Sequence, residues 1–365
     1  MTRNIPSSDE QRGSKVAISL RRDELRALAI TQASGSSKTP TFCGEAGSSR
    51  GARWLLCFAN RSRSILSQCL VFLLGVTFIH ARDLDVLLVV GAAGTEEYGK
   101  KFETQVEAWK AACARGEVKA EVLRGPETAA QLEKRLAASK PERALWLVLI
   151  GHGSFDGRAA KFNTEGPDFD AKQLATWLAP LKQEVAVIHT GSASGAILRP
   201  LAGKGRIVIT ATKSPDEVFY ARFGEFFAQA IGGEKEADFD QDGQISLLEA
   251  FRFASANAAQ FYENEGRLAT EHALLEDNGD GVGTRREVLE KPPADAKLDG
   301  ERAAQLVLVL SEEEKKLTDA QRSTRDRLER EIKVLNTKRA ELGDEKYYPQ
   351  LEKLLRELAA VYATP

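Results

Sequence analysis

Two short glycine-flanked segments hold the residue types that nucleophilic catalysis needs. Gly151-His152-Gly153-Ser154 follows one apolar run, and Gly191-Ser192-Ala193-Ser194-Gly195 follows another. A hydroxyl nucleophile works only beside a base that takes its proton, with the two groups about 3 Å apart in the competent state. His152 and Ser192 could meet that demand if their segments leave neighbouring strand ends. The flanking glycines let the backbone turn sharply and approach a substrate closely. Backbone N–H groups of these loops, which hold Gly153, Gly191, Ser194 and Gly195, could receive a developing oxyanion. Asp156 either orients the His152 ring or shapes a turn, and His152 taken alone could merely cap one. His189 and His272 fall outside both segments and read as structural.

A second constellation suits a hard cation. Residues 238–249 read Asp-Phe-Asp-Gln-Asp-Gly-Gln-Ile-Ser-Leu-Leu-Glu. Carboxylates at positions 1, 3 and 5, Gly at 6 and Glu at 12 match the EF-hand loop, in which alternate side chains fold inward onto calcium. The expected ligands are Asp238, Asp240, Asp242, Gln244 through its carbonyl, Ser246 directly or through water, and Glu249 with both oxygens. The competing reading is an acidic turn that caps a helix without metal. A weaker match runs from Glu276 to Glu287, with Asn278, Asp280, Gly281 and Glu287 in register. There Glu276 replaces the usual Asp at position 1 and Gly283 the usual apolar residue at 8, so a turn-rich surface loop fits equally well.

The elements that must position these residues alternate in type. Apolar runs at Leu84–Val90, Val118–Leu123, Ala144–Ile150, Glu184–Thr190 and Arg206–Thr212 read as strands. Helical spacing covers Thr95–Arg115, Glu127–Ala138, Ala171–Leu181, Glu217–Ile231 and Ser246–Tyr262. Nearly continuous apolar strands between amphipathic helices predict an α/β fold, a mostly parallel sheet with helices on both faces. In such sheets ligands bind beyond the carboxyl ends of strands, where both glycine-flanked segments fall.

Leu147-Val148-Leu149-Ile150-Gly151-His152-Gly153 and Val187-Ile188-His189-Thr190-Gly191-Ser192-Ala193-Ser194-Gly195 together resemble the legumain family of caspase-fold cysteine peptidases. Gly91-Ala92-Ala93-Gly94 with Tyr98 resembles that family's first loop, and the likeness covers about residues 84 to 232. It implies a caspase-like sheet, a peptide or protein substrate, a His at 152 and a nucleophile at 192. The family's Cys is Ser192 here, and Cys113 lies within a predicted helix, far from the strand ends. A thiol ionises easily beside a histidine, whereas a serine hydroxyl needs a well-placed and oriented base. Gly99 and Lys100 stand where the family's Arg-His pair is expected, so its specificity does not transfer. Two readings of Ser192 follow: an active Ser/His peptidase, or a site whose proteolysis is weak or lost and whose fold binds a peptide or protein. The second is preferred, because a fold alone does not carry activity.

The remaining regions set the context. Residues 1–60 are rich in Ser, Arg and Gly without periodicity. Arg61-Ser62-Arg63, the apolar run from Ile65 to Ile79 and Ala81 read as a signal peptide or signal anchor over 61–81. An exported protein is expected, membrane-anchored if the segment stays uncleaved. Residues 82–290 are expected to form the α/β domain and 291–310 a linker in which Gln305–Leu310 adds an edge strand. A helical hairpin is expected over 311–365, packed on the domain or serving a protein partner or self-association. Four cysteines without metal-ligand spacing exclude a disulfide scaffold and a structural zinc site, and a net charge of −2 argues against nucleic acid. Gly91–Thr95 lacks a nucleotide fingerprint, so calcium is expected and no organic cofactor.

Overall fold

The structure is a computed structural model that describes residues 83–293 and 297–363. The tail expected over 1–60 and the signal or anchor expected over 61–81 lie outside the described residues. Among these, no helix is long and apolar enough to cross a membrane.

Strands β1 (Leu84–Val90), β3 (Ala144–Ile150) and β7 (Val185–His189) are almost wholly aliphatic and buried, as parallel strands covered on both faces must be. With β2 (Lys119–Leu123), β8 (Arg206–Thr210) and β9 (Leu274–Glu276) they form a six-stranded sheet in the order β2-β1-β3-β7-β8-β9. The first five strands run parallel, and β9 closes the edge antiparallel to β8. The fold class expected from the sequence, a mostly parallel α/β sheet flanked by helices, is the one observed.

Side-chain alternation along β1 divides the core. Val86, Leu88 and Val90 face α1 (Glu96–Arg115), α5 (Phe223–Ile231) and α6 (Leu247–Asn264). Trp109 fills that layer, 6.0 Å from the Phe227 ring and 6.3 Å from the Trp146 ring. Leu87 and Val89 face α2 (Thr128–Ala137), α3 (Ala171–Leu178) and the short α4 (Leu198–Leu201). Local chemistry fixes the helix starts. Thr95 caps α1, with Glu96 and Glu97 in its positive first turn. Asp170 and Gln173 form a capping box on α3.

Three features depart from the sequence reading. The helix expected over Glu217–Ile231 starts only at Phe223, because its cap is remote: the Glu271 carboxylate accepts from the N–H groups of Arg222 and Phe223 (2.8 and 2.9 Å). A three-stranded antiparallel sheet, β4 (Gly153–Phe155), β5 (Ala160–Phe162) and β6 (Phe169–Asp170), follows β3 and was not expected. Gln305–Leu310 is not an edge strand, since β9 already occupies that edge. After a 3-10 turn at Ala303–Gln305, the segment makes one bridge, Val307 to Ser246, and buries Leu308 against the main core. Residues 299–308 therefore contribute to the domain rather than linking it to the next.

Beyond them, α8 (Asp319–Thr337), α9 (Arg339–Leu342) and α10 (Asp344–Ala363) follow. Leu328 of α8 meets Leu358 and Val361 of α10 in a small apolar cluster. Gln305 ties α8 to the domain by accepting from Arg330 (2.8 Å) and donating to the Asp326 carbonyl (3.2 Å).

Candidate functional site

β3 and β7 are neighbours, with Leu149 opposite His189, so the loops carrying His152 and Ser192 leave the same end of the sheet side by side. They touch. A Cβ on Gly191 would lie 2.0 Å from the Gly151 carbonyl oxygen, and one on Gly153 would lie 2.2 Å from that of Ser192. Only glycine permits such an approach.

Contact decides what Ser192 does. Its hydroxyl donates to the Gly153 carbonyl (2.9 Å) and accepts from the Gly153 N–H (3.1 Å), with the residue 2% exposed. The His152 ring goes elsewhere. It stands edge-on to Tyr98 (4.6 Å between centroids) and Phe102 (5.2 Å), with Tyr220 at 6.0 Å. Burial lowers its pKa, partly offset by a hydrogen bond to the Ala93 backbone. Imidazole and hydroxyl thus share a rim, but each has its own partners.

Three of the loop N–H groups expected to serve an oxyanion are engaged as well. Gly153 N–H serves Ser192, Gly191 N–H donates to His189 Nδ1 (3.2 Å), and Gly195 N–H donates to Thr212 Oγ1 (2.9 Å). The Ser194 hydroxyl pairs with that of Thr212 (3.1 Å). Ala193, left-handed at φ 54°, donates its N–H to the Glu217 carbonyl (2.8 Å). Asp156 is a turn residue, accepting from the N–H groups of Arg158 and Ala159.

Sequence reasoning missed the covering segment. Residues 213–222 carry Tyr220 against Tyr98 (4.8 Å) and leave Phe219 66% exposed. Glu217 anchors the segment by accepting from the Lys213 N–H and pairing with His272 Nδ1 (2.5 Å). His272 is thus structural. His189 is structural too, its imidazole pushed down to about 3 by complete burial.

The segment expected to bind calcium folds into a tight acidic turn. Carboxylate oxygens of Asp238, Asp240 and Asp242 lie within 4.8 Å of one another. Asp238 accepts from the N–H groups of Asp242 and Gly243, Asp240 from Asp242, and Asp242 from Gln244. Glu249 reaches back over the loop, accepting from Phe239 N–H (3.0 Å), Asp240 N–H (3.5 Å) and Ser246 N–H (2.9 Å). Burial raises its pKa. Gln244 spends its side chain on Asp242 and Ser311, leaving the main chain as its route to a cation. Ser246 caps α6 and donates to Glu249.

In the weaker loop Glu276, Asn278 and Asp280 turn inward. Glu276 accepts from Gly279 and Gly281, Asn278 from Asp280, and Asp280 from Val282. Glu287 does not join them: at the start of α7 (Arg286–Glu290) its carboxylate pairs with Arg285 (3.3 Å) and Arg286 (3.4 Å) and is half-exposed.

No protein-family model and no curated protein matches the chain. Among solved structures it is similar to a Geobacter sulfurreducens protein determined as a structural-genomics target, at TM-score 0.34 and 12% identity over 47% of this chain and 88% of that one. It is also similar to the Drosophila initiator caspase Dronc, at TM-score 0.32 and 11% identity over 47% of this chain and 71% of that one. What the structure itself establishes is the six-stranded, mostly parallel sheet flanked by helices.

Proposed function

We propose that the chain is an exported, calcium-binding peptidase homologue of caspase-like fold, in which Ser192 replaces the cysteine of legumain-like enzymes and proteolysis is weak or lost. The observation that carries this reading is the fate of the Ser192 hydroxyl. Its proton goes to the Gly153 carbonyl and its lone pair to the Gly153 N–H, so His152 has no proton to take from it. The imidazole, held among Tyr98, Phe102 and Tyr220, is the half of the dyad that keeps a place on the rim.

A rim that does not cut can still hold a peptide. Phe219 and Val218 are exposed beside Tyr220, which supports binding of a peptide or protein segment there. Calcium is assigned to Asp238, Asp240, Asp242, the Gln244 carbonyl and Glu249, and the carboxylate grouping supports that assignment. Export rests on the 61–81 pattern, which N-terminal sequencing of the protein from its native cell tests.

The deciding experiment is peptide-library cleavage by the full chain in calcium. Wild type should show no turnover and Ser192→Cys should gain it. Wild-type cleavage abolished by Ser192→Ala would establish the Ser/His peptidase instead.

A further inference from the structure

The loop at 276–284 repeats the first calcium loop almost bond for bond, with one replacement. In both, the carboxylate at position 1 accepts from the N–H at position 6, the side chain at 3 accepts from the N–H at 5, and that at 5 accepts from the N–H at 7. Positions 4 and 6 have positive φ in both: Gln241 60° and Gly243 80°, Gly279 84° and Gly281 76°.

The replacement concerns the closing carboxylate. In the first loop Glu249 accepts from the N–H groups at positions 2 and 3 and from the hydroxyl at position 9 (Ser246, 2.8 Å). In the second, Asp299 does this. It accepts from Asp277 N–H (2.9 Å), Asn278 N–H (3.2 Å) and the Thr284 hydroxyl at position 9 (2.5 Å). Asp277 secures the segment that brings Asp299 in, by accepting from Gly300, Arg302 and Ala303 (2.8, 2.9 and 2.9 Å).

A separate observation points to a ligand. Glu276 is 0% exposed, and its Oε2 has no hydrogen-bond partner, although Oε1 lies inside the loop on Gly279 (2.6 Å). Asp299 is also buried, and among the described residues neither carboxylate is in an ion pair with a basic side chain. A buried carboxylate oxygen without donor or counter-charge is costly unless a cation meets it.

We propose that Glu276, Asn278, Asp280, the Val282 carbonyl and Asp299 form a second divalent-cation site of the calcium class, with Asp299 in the closing role that sequence register gives to Glu287. The site is assembled from two separated segments. It stands apart from the peptidase reading and from the first loop.

The test is calcium titration calorimetry on the full chain. Wild type should take two ions, and Asp240→Asn/Asp242→Asn should take one. In that double-variant background, Asp299→Asn and Glu276→Gln should weaken the remaining ion about 10-fold or more, as loss of ligand charge does. Glu287→Gln should leave it unchanged. Asp280→Asn, at an exposed position, should weaken it without a folding penalty, and circular dichroism checks the buried variants. A remaining ion lost with Glu287→Gln but kept with Asp299→Asn overturns the proposal. One wild-type ion that vanishes in the double variant also overturns it, while leaving the first loop standing. One ion insensitive to the double variant but lost with Glu276→Gln supports it and removes the first loop. No binding at all removes both.

Discussion

If the Ser192 hydroxyl is a clasp rather than a nucleophile, removing it must cost stability. Ser192→Ala leaves the Gly153 N–H and C=O without their partner in a site 2% exposed. Stranding a buried polar group costs about 1–3 kcal/mol, so two give about 2–4 kcal/mol after modest relaxation. For a domain of this size, 1 kcal/mol moves the midpoint by about 2–4 °C, so Tm should fall by roughly 4–16 °C. Thermal and urea unfolding followed by far-UV circular dichroism, in saturating calcium, measure this. Ser192→Thr keeps a hydroxyl and separates the hydrogen-bond loss from general crowding. A hydroxyl kept for catalysis behaves oppositely, since active-site groups are commonly held at a cost to stability. An unchanged or raised Tm in Ser192→Ala would therefore refute the clasp.

Other perturbations test the frame around it. His189 stays neutral in the folded chain down to about 3, whereas the unfolded chain protonates it near 6.5. The unfolded state then binds more protons below pH 6.5, so stability should fall with pH by about 1.4 kcal/mol per unit, and His189→Asn should flatten that acid limb in urea midpoints. Cys113, its thiol pushed up to about 12 by burial, should resist alkylation until unfolding, and rapid native labelling counts against its packing. Glu271→Ala strands the Arg222 and Phe223 N–H groups and should cost about 2–4 kcal/mol, seen as a lower denaturation midpoint. Calcium chelation should speed amide exchange near Glu276 and along β8, its partner strand, while leaving β1 protected. Identical β8 exchange with and without calcium would break that link.

The four interior parallel strands, β1, β3, β7 and β8, were legible because such strands have no polar face to hide them. Elements defined by distant partners were not. β9 has only three residues and exists because β8 offers an open edge. The start of α5 is set by Glu271, which no local pattern reveals. Gln305–Leu310 is apolar and Val-rich like a strand yet makes one bridge, because its apolar side chains are used for docking. The turn at 238–249 could be read directly, since its closing Glu249 sits at fixed spacing. In the second such turn, counting along the chain picks Glu287, while the equivalent hydrogen bonds go to Asp299, delivered by a separate segment.

The serine could be located but not interpreted from sequence. At position 192 it reads as a weakened nucleophile, since the chemistry of a hydroxyl beside a histidine is the natural comparison. The structure adds a second comparison, with the backbone. Gly153 presents a donor and an acceptor to the same buried spot, and a hydroxyl satisfies both within 3.1 Å. A thiol is a weak donor and a weak acceptor, and it holds such a pair poorly. A cysteine here would leave the sulfur freer to meet an imidazole and the loop less firmly fastened. Serine instead joins the two loops, and the engaged N–H groups of Gly191, Ala193 and Gly195 extend the same fastening along the rim. Close glycine contact serves either use. The atom at 192 determines whether that contact frames a reaction or ties two strand ends together.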